Sequence, residues 1–220
     1  LNIRSYDGNH YYMWDAQKQY WDGWEWTKNL PGGQPTSTYA SSGNYPKNNT
    51  DSRWYNDGTG PLSANTPLFQ SLPNANELSW YAMYGDARYD TNELWTTMGR
   101  LYKGGAWLKK KSVLMAEGHY STEKSADGTT DLRVTGKTFG YNGVSQTLPS
   151  ASDADKYFYI PFQGDYGFGV LYDIGQKGWY WSSTAVPGSS HSSYCITILG
   201  SNCDLQVSNR WIGYVAQPFE

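Results

Sequence analysis

Charged side chains, cysteine and histidine are all scarce in this chain of 220 residues. Charged residues make up 17% of it, the formal net charge is −3, and there are two cysteines and three histidines. A negative net charge argues against the phosphate backbone of nucleic acids as a ligand. No apolar run reaches the roughly 20 residues of a membrane-spanning helix. We therefore expect neither a nucleic-acid partner nor a direct membrane span.

The same scarcity limits metal and catalytic chemistry. Cys195 and Cys203 have no second Cys or His pair at the spacing of a zinc site. His10, His119 and His191 lie far apart in the chain, without a nucleophile motif. Asp and Glu are scattered, so a carboxylate pair for glycoside hydrolysis stays open, but none is singled out. We predict no metal, no cofactor and no catalytic residues.

The sequence leaves open whether the two cysteines form a disulfide. Export would favour the bond. A tight hairpin turning at residues 200–201 would instead place residue 198 opposite 203 and residue 195 opposite 206. That register puts the two thiols beyond disulfide reach.

Aromatic residues, in contrast, are abundant. The chain has 11 Trp and 20 Tyr, and aromatics make up 17% of it. Trp and Tyr serve both cores and recognition surfaces, and this number is more than one core needs. The 24 Gly, with many Asn, Ser and Thr, predict frequent turns and few long helices.

The order of the patterned segments predicts an α+β fold with two short helices. Asn74 before Glu77 resembles a capping box, so we expect a helix that starts there and ends at Gly85. A second short helix is expected between Asp90 and Gly99.

Strands and long loops are predicted in the rest of the chain. Strands are expected near Trp24 and Trp26, at 104–115, at 155–184, in a hairpin after 193 and at about 205–217. Loops rich in Gly, Pro, Ser and Asn are expected at 31–66, 116–155 and 185–193. In the stretch GWYWSST, residues 178–184, alternation along a strand points Trp179 and Trp181 to one face and Tyr180 to the other.

Four strings follow one another in a fixed order: YFYIPFQGDY, GQKGWYWSST, YCITIL and NRWIGYVAQPF. Together they resemble the Fibrobacter major paralogous domain (FISUMP) family, whose signature has a Pro-aromatic-x-Gly strand, the string G-x-Y-W-S-S-T and a final R-x-x-G-F/Y-x-V strand. The matching positions are Pro161, Gly164, Gly178, Tyr180, Trp181, Ser182, Ser183, Thr184, Arg210, Gly213 and Tyr214, while Val215 lies one position before the last Val of that signature. The strings LPNANEL and GGAWLKKKS match further elements, so the resemblance covers residues 67–220.

The resemblance implies a C-type-lectin-like domain, since the family is similar in fold to C-type lectins and formylglycine-generating enzymes. Such a domain has two short helices, small antiparallel sheets and long loops. Residues 1–66 match less clearly, and we expect them to form an aromatic-rich segment that packs on the same domain. The resemblance also implies that Trp181 is buried where a core strand runs into a loop, with the hydroxyls of residues 182–184 bonding the backbone of that turn.

Export is implied as well, to the cell surface or outer membrane of Bacteroides-type bacteria, in a lipoprotein or a pilus-associated protein. The chain starts at Leu1, without Met and without a signal peptide, which is typical of the mature or excised part of a longer precursor.

Two activities of the similar folds are disfavoured by the residues present. The C-type-lectin calcium site needs Glu-Pro-Asn or Gln-Pro-Asp with Trp-Asn-Asp. Here Gln34-Pro35 lacks the carboxylate, and Tyr55 separates Trp54 from Asn56. A formylglycine-generating oxidase needs two neighbouring copper-binding cysteines, which the hairpin register separates.

Binding through aromatic residues is the leading prediction. Sugar rings lay their C–H faces on Trp and Tyr, while Asn, Asp and Gln fix the hydroxyls. The candidate ligand-binding residues are Trp24, Trp26, Trp54, Tyr55 and Asp57, and we expect the four rings to form an exposed patch. The predicted function is a non-enzymatic, exported surface or adhesion module that binds a glycan or a surface protein. The alternatives are a structural pilus or lipoprotein assembly domain and, less favoured, a formylglycine-generating-type oxidase.

Overall fold

Short strands joined by long loops make up most of the computed structural model, which describes residues 2–28, 42–59 and 63–220. The strands are β1 (Arg4–Tyr6), β2 (Tyr11–Tyr12), β3 (Arg88–Thr97), β4 (Arg100–Lys109), β5 (Phe139–Tyr141), β6 (Tyr157–Pro161), β7 (Asp165–Gly167), β8 (Val170–Tyr172), β9 (Lys177–Ala185), β10 (Ser192–Leu199), β11 (Asn202–Asn209) and β12 (Tyr214–Val215). The helices are α1 (Pro67–Gln70), α2 (Ala75–Tyr84) and α3 (Lys111–Ala116), with 3-10 turns at Glu25–Thr27 and Ala154–Lys156. This is an α+β fold, as predicted. Gln34 and Pro35 lie outside the described residues, as does part of the loop predicted at 31–66.

Two larger sheets and one hairpin organise the strands. The first sheet has the order β1-β3-β4-β6, the second has the order β2-β12-β9-β10-β11-β5, and β7 and β8 form a two-stranded hairpin. The pairs β1/β3 and β12/β9 are parallel, so both larger sheets are mixed rather than purely antiparallel as predicted. In the described part of the chain, no helix is long and apolar enough to span a bilayer.

Aromatic side chains from the N-terminal segment enter the same core as the later strands. Tyr11, Tyr20 and Trp21 surround the ring of Tyr166, with centroid distances of 4.9, 5.4 and 5.2 Å. All four side chains are fully buried. Stacked and edge-to-face pairs at such distances add stability beyond the area they bury. These contacts hold residues 11–21 against the β7–β8 hairpin.

The predicted capping box of α2 is confirmed. The side chain of Asn74 accepts a hydrogen bond from the Glu77 N–H at 2.9 Å, and the Asn74 N–H donates to the Glu77 carboxylate at 2.7 Å. Gly85 ends the helix, as predicted, with its N–H donating to the Tyr81 carbonyl at 2.9 Å. A Cβ at this position would lie 2.2 Å from that carbonyl oxygen, so the close approach needs glycine.

The helix predicted between Asp90 and Gly99 is wrong, because these residues form β3 and the turn into β4. Asp90 does accept hydrogen bonds from the N–H groups two and three residues later, at 2.9 and 3.0 Å, but it does so at a β-bulge rather than at a helix start. Met98 and Gly99 both have positive φ, at 51° and 72°, which closes a tight hairpin. A left-handed Met is uncommon, so the sequence gives little sign of this turn.

Two strand predictions in other regions are also wrong. Trp24 and Trp26 lie at the 3-10 turn Glu25–Thr27 rather than on a strand, because Gly23, at a φ of 77°, turns the chain just before them. The second half of the strand predicted at 104–115 belongs instead to α3, Lys111–Ala116.

The closing strand predicted at 205–217 is interrupted. Strand β11 ends at Asn209 and β12 begins only at Tyr214. Arg210 follows β11 at once and is fully buried, so the chain breaks its pairing here to carry this side chain into the interior.

The stretch at 178–184 lies inside strand β9, not where the strand leaves the core. Trp181 is 1% exposed and Tyr180 is equally buried, which confirms the core interpretation. Trp179 and Trp181 both pack on Tyr214, with centroid distances of 5.0 and 4.6 Å, while Tyr180 faces the main core on the other side. The predicted alternation is confirmed.

The hydroxyl residues of this stretch bond backbone groups, as expected, but within the strand. The Ser182 hydroxyl donates to the Tyr194 carbonyl at 2.8 Å, beside an irregularity in the β9–β10 pairing. The Thr184 hydroxyl accepts the N–H of Ala75, the first residue of α2, at 2.9 Å. Thr184 therefore holds the start of α2 against β9, and Ser182 supplies a hydrogen bond to a backbone carbonyl where the β9–β10 pairing is irregular.

The two cysteines are free and buried. The predicted register is confirmed, since Cys195 pairs with Gln206 and Ile198 pairs with Cys203. Cys203 shares a face of the sheet with its partner Ile198, and Ile198 is three residues from Cys195 on the same strand. Because side chains alternate along a strand, the two thiols lie on opposite faces of the sheet. Burial raises the pKa of both thiols.

Replacing Trp181 by Ala should lower the free energy of unfolding by about 3–5 kcal/mol, the usual loss for a buried large aromatic. Trp26→Ala is the matched control, since that side chain is 69% exposed and should contribute little. Urea unfolding followed by far-UV circular dichroism measures both. Equal stability of Trp181→Ala and the wild type would contradict the core placement.

Candidate functional site

The predicted binding residues fall into two groups. Trp24 and Trp26 form one pair, with ring centroids 6.4 Å apart and exposures of 41% and 69%. Trp54 and Tyr55 form the other, with centroids 4.8 Å apart and both side chains half-buried. No ring contact among the described residues joins the pairs, so the structure does not bring the four rings into one patch.

Trp54, Tyr55 and the exposed Asp57 line an open cleft of about 600 Å³. We call it the polar cleft and define it by Asp15, Asp51, Trp54, Tyr55, Asp57 and Asn65. The side chains of Asn49 and Asn56 add amide groups to its walls. Its volume is in the range of small-molecule sites, and its lining combines two aromatic rings with several hydrogen-bonding groups.

The buried carboxylate of Asp15 joins three chain segments at the floor of the polar cleft. One oxygen accepts the N–H and the hydroxyl of Thr66, at 2.9 and 2.7 Å. The other accepts the N–H of Asn65 at 2.8 Å and the side-chain amide of Asn56 at 2.7 Å. Four donors on one ionised group make a strong anchor. The side chain of Asn56 and the backbone of Asn65 are therefore held at fixed positions.

Arg53 fixes the loop just before Trp54. Its guanidinium is paired with the Asp51 carboxylate, from Nη2 at 2.8 Å and from Nε at 3.0 Å. Nη1 donates to the carbonyls of Tyr20 and Asn44, at 2.9 and 2.8 Å. The hydrogen bonds from Arg53 lower the pKa of Asp51. This buried arginine thus ties the loop to the N-terminal segment.

Arg210 fixes the same loop just after Tyr55. Its Nη1 donates to the carbonyls of Asn56 and Gly58, at 2.8 and 2.9 Å. Nε and Nη2 donate to the carbonyls of Ser192 and Ser189, at 3.0 and 2.7 Å. Arg210 is 0% exposed, so all four carbonyls meet it away from water. Arg210 therefore holds the loop of the candidate site.

Trp14 covers the guanidinium of Arg210, 4.8 Å from the ring centroid. The backbones also bond, from the Trp14 N–H to the Arg210 carbonyl at 2.9 Å and from the Asn56 N–H to the Trp14 carbonyl at 3.0 Å. Burial lowers the pKa of Arg210, and the nearby Tyr55 and Asp57 oppose that shift. Both residues are members of the polar cleft, so the buried charge and the cleft are electrostatically linked.

Gly213 allows Tyr20 and Tyr166 to pack closely against the backbone. It exchanges two backbone hydrogen bonds with Tyr166, at 2.8 and 2.9 Å. A Cβ at this position would lie 2.8 Å from the ring of Tyr20. A side chain here would displace the aromatic cluster beneath the candidate site.

Sequence reasoning identified Trp54, Tyr55 and Asp57 but missed Asp15 and Arg53. For Arg53 a signal exists in the string Asp-x-Arg, which recurs at 51–53, 86–88 and 131–133. In all three the carboxylate accepts hydrogen bonds from Nε and Nη2 of the arginine two residues later. For Asp15 no local signal exists, because its partners lie 41 to 51 residues further along the chain.

Comparison with family models, with curated proteins and with solved structures finds no match to the chain. The function of the site is therefore argued from its own residues. Among the described residues no group of three or more His, Cys, Asp or Glu side chains is placed to hold a metal ion.

The β7–β8 hairpin carries a carboxyl group at its base. Burial, and then repulsion from Asp173, raises the pKa of Asp165 to about 7, while Lys177 opposes the shift. Lys177 is itself paired with Asp173 at 3.0 Å. The folded protein therefore favours the neutral form of Asp165 up to near-neutral pH.

Asp165 should make the protein less stable as pH rises from about 4 to about 7. In the unfolded chain the carboxyl ionises near its ordinary pKa of about 3.9, while the native state keeps its proton to about 7. The native state binds more protons across this window, so its stability falls with rising pH. Asp165→Asn should remove this loss and be more stable than the wild type at pH 8.

Urea unfolding of both proteins at pH 4, 6 and 8 measures the difference. Asp153→Asn is the control, because Asp153 is an exposed carboxylate whose pKa is lowered by Lys156. The prediction fails if Asp165→Asn and the wild type lose stability in parallel between pH 4 and 8.

Proposed function

We propose that the chain is an exported, non-enzymatic surface module that binds a glycan in the polar cleft. The observation that carries the proposal is the loop at 53–58. It presents Trp54, Tyr55 and Asp57 side by side and is fixed at both ends by buried arginines. The proposal includes a C-type-lectin-like fold of the FISUMP kind, and a location at the cell surface or outer membrane.

The chemistry of the polar cleft fits a sugar better than an apolar ligand. Trp54 and Tyr55 pack on each other, with ring centroids 4.8 Å apart and an interplanar angle of 33°, and each side chain stays partly exposed for the C–H face of a sugar ring. Asp57 and the amides of Asn49 and Asn65 stand around this surface and suit hydroxyl groups.

The charges of the polar cleft favour neutral or amino sugars over acidic ones. Asp15, Asp51 and Asp57 line it, and no Lys or Arg is among the lining residues. The carboxylate of Asp51 is neutralised by Arg53, whereas Asp57 is exposed and open to a ligand. A carboxylate or sulfate group on a glycan would meet like charge here.

A rigid loop also fits a binding role. Weak ligands such as sugars cannot supply much free energy for ordering a loop, so a preformed site binds them better. The bonds from Arg53, Arg210 and Asp15 order the loop before any ligand arrives.

A protein contact in a surface assembly is the second candidate, and it is favoured by a different observation. Trp24 and Trp26 are adjacent, exposed and outside the lining of the polar cleft. Exposed aromatic pairs of this kind are typical anchors of protein interfaces. We do not propose the oxidase alternative, because Cys195 and Cys203 are buried on opposite faces of a sheet.

Trp54→Ala should weaken glycan binding by about tenfold or more, since truncating a central aromatic anchor typically costs above 1.4 kcal/mol. Asp57→Asn should weaken it without a change in fold, because Asp57 is exposed. A glycan array finds the ligand, and titration calorimetry then compares the variants. Trp26→Ala is the matched control and should bind glycan as the wild type does. Absence of any array signal, or wild-type affinity in both cleft variants, would overturn the proposal.

A further inference from the structure

A second depression shares Trp54 with the polar cleft. It has a volume of about 370 Å³, and we call it the aromatic groove. It is defined by Tyr20, Tyr45, Lys47, Trp54, Phe168 and Trp211. Trp54 also lines the polar cleft, so one indole ring forms part of both depressions.

The aromatic groove and the polar cleft differ sharply in chemistry. The lining of the groove is five aromatic rings with Met13 and Pro46, and its one charged member is Lys47. The ammonium of Lys47 lies over the ring of Tyr45, 5.0 Å from the centroid. The polar cleft instead carries three carboxylates and several amides. A ligand that lies across Trp54 therefore needs a hydroxyl-rich part and an apolar part.

Phe168 is the most unusual member of the aromatic groove. It is 63% exposed, and its backbone has a φ of 52°, a conformation that a bulky residue rarely adopts. Its ring packs on Trp211 at a centroid distance of 4.8 Å. Strained backbone that holds an apolar ring in water is typical of functional sites.

The hairpin tip that carries Phe168 is held firmly. The N–H of Gly169 donates to the Tyr20 hydroxyl at 3.1 Å, and its carbonyl accepts the N–H of Ser42 at 3.0 Å. A Cβ on Gly169 would lie 2.2 Å from the Ser42 carbonyl, so glycine is needed for this contact. The position of Phe168 is thus fixed by its neighbours rather than by burial of its own ring.

We propose that the aromatic groove is a second subsite of the glycan site, which receives the methyl group of an acetamido or 6-deoxy substituent on the neighbouring sugar. This inference rests on the proposed function of the polar cleft and adds the class of glycan. Two features favour this occupant over a separate apolar partner. The two depressions share Trp54 and are therefore neighbours, and a methyl-bearing sugar supplies the apolar part and the hydroxyl-rich part in adjacent units.

The test is a glycan array printed with matched pairs that differ only in this substituent. N-acetyllactosamine stands beside lactose for the acetamido group, and fucose-terminated disaccharides stand beside their galactose counterparts of the same hand for the methyl group. The wild type should prefer the methyl-bearing member of at least one kind of pair by about tenfold. The kind of pair that shows the preference identifies the substituent.

Phe168→Gly is the decisive variant. It removes the ring and lets glycine occupy the left-handed backbone, so the melting temperature should not fall. Phe168→Gly should abolish the preference for the methyl-bearing sugar and leave the affinity for the unsubstituted sugar unchanged. Phe168→Tyr, which keeps an aromatic ring at this position, should retain the preference. Tyr172→Ala, an exposed aromatic of the same hairpin outside the groove lining, is the matched control and should keep it.

The outcomes separate the two proposals. If the array shows binding without any preference, or if Phe168→Gly keeps the preference, the subsite is wrong and the polar cleft stands. If the array shows no binding at all, the proposed function fails and the subsite fails with it.

Discussion

The candidate site depends on the hydrogen bonds between the buried guanidinium of Arg210 and the backbone around it. A charged group without water is tolerated only where its hydrogen bonds are satisfied. Arg210 meets that condition with four backbone carbonyls, two from the loop at 56–58 and two from the segment at 189–192. Among the described residues it has no carboxylate as an ion-pair partner, so the shape of the surrounding backbone must supply the compensation. The charge of Arg210 can therefore stay buried only while the loop keeps the carbonyls of Asn56 and Gly58 pointed at it.

Trp14 connects this arginine to the string W-S-S-T. The indole covers the guanidinium on one side and donates its N–H to the Ser182 carbonyl at 3.0 Å. Trp181, the next residue back, donates its own indole N–H to the Tyr12 carbonyl at 2.8 Å. Trp181 and Ser182 of GWYWSST and Arg210 of NRWIGYVAQPF therefore all hold the N-terminal segment in place. Tryptophan stands beside serine in GWYWSST because the rings fill the core while the small residues leave backbone groups free for docking.

The sequence predicted those features that depend on neighbouring residues. The capping box at Asn74, the alternation of Trp179, Tyr180 and Trp181, and the register that separates the cysteines all follow from local chemistry.

Features that depend on distant partners were missed or misassigned. Asp90 has the chemistry of a helix cap and uses it at a β-bulge, because the bulge is decided by pairing with β4. The separation of Trp24 and Trp26 from Trp54 and Tyr55, and the role of Asp15, arise from contacts across 30 or more residues and have no local signature.

Arg210 orders the loop that carries Trp54, Tyr55 and Asp57. Amide hydrogen exchange of Arg210→Lys, measured residue by residue by nuclear magnetic resonance, tests this role. Lysine keeps the charge but cannot reach four carbonyls with the same planar geometry. The N–H groups of Asn56 and Gly58 should lose their protection, while the paired amides of β10 and β11 should keep theirs. Unchanged protection at residues 56 and 58 in the folded variant would contradict it.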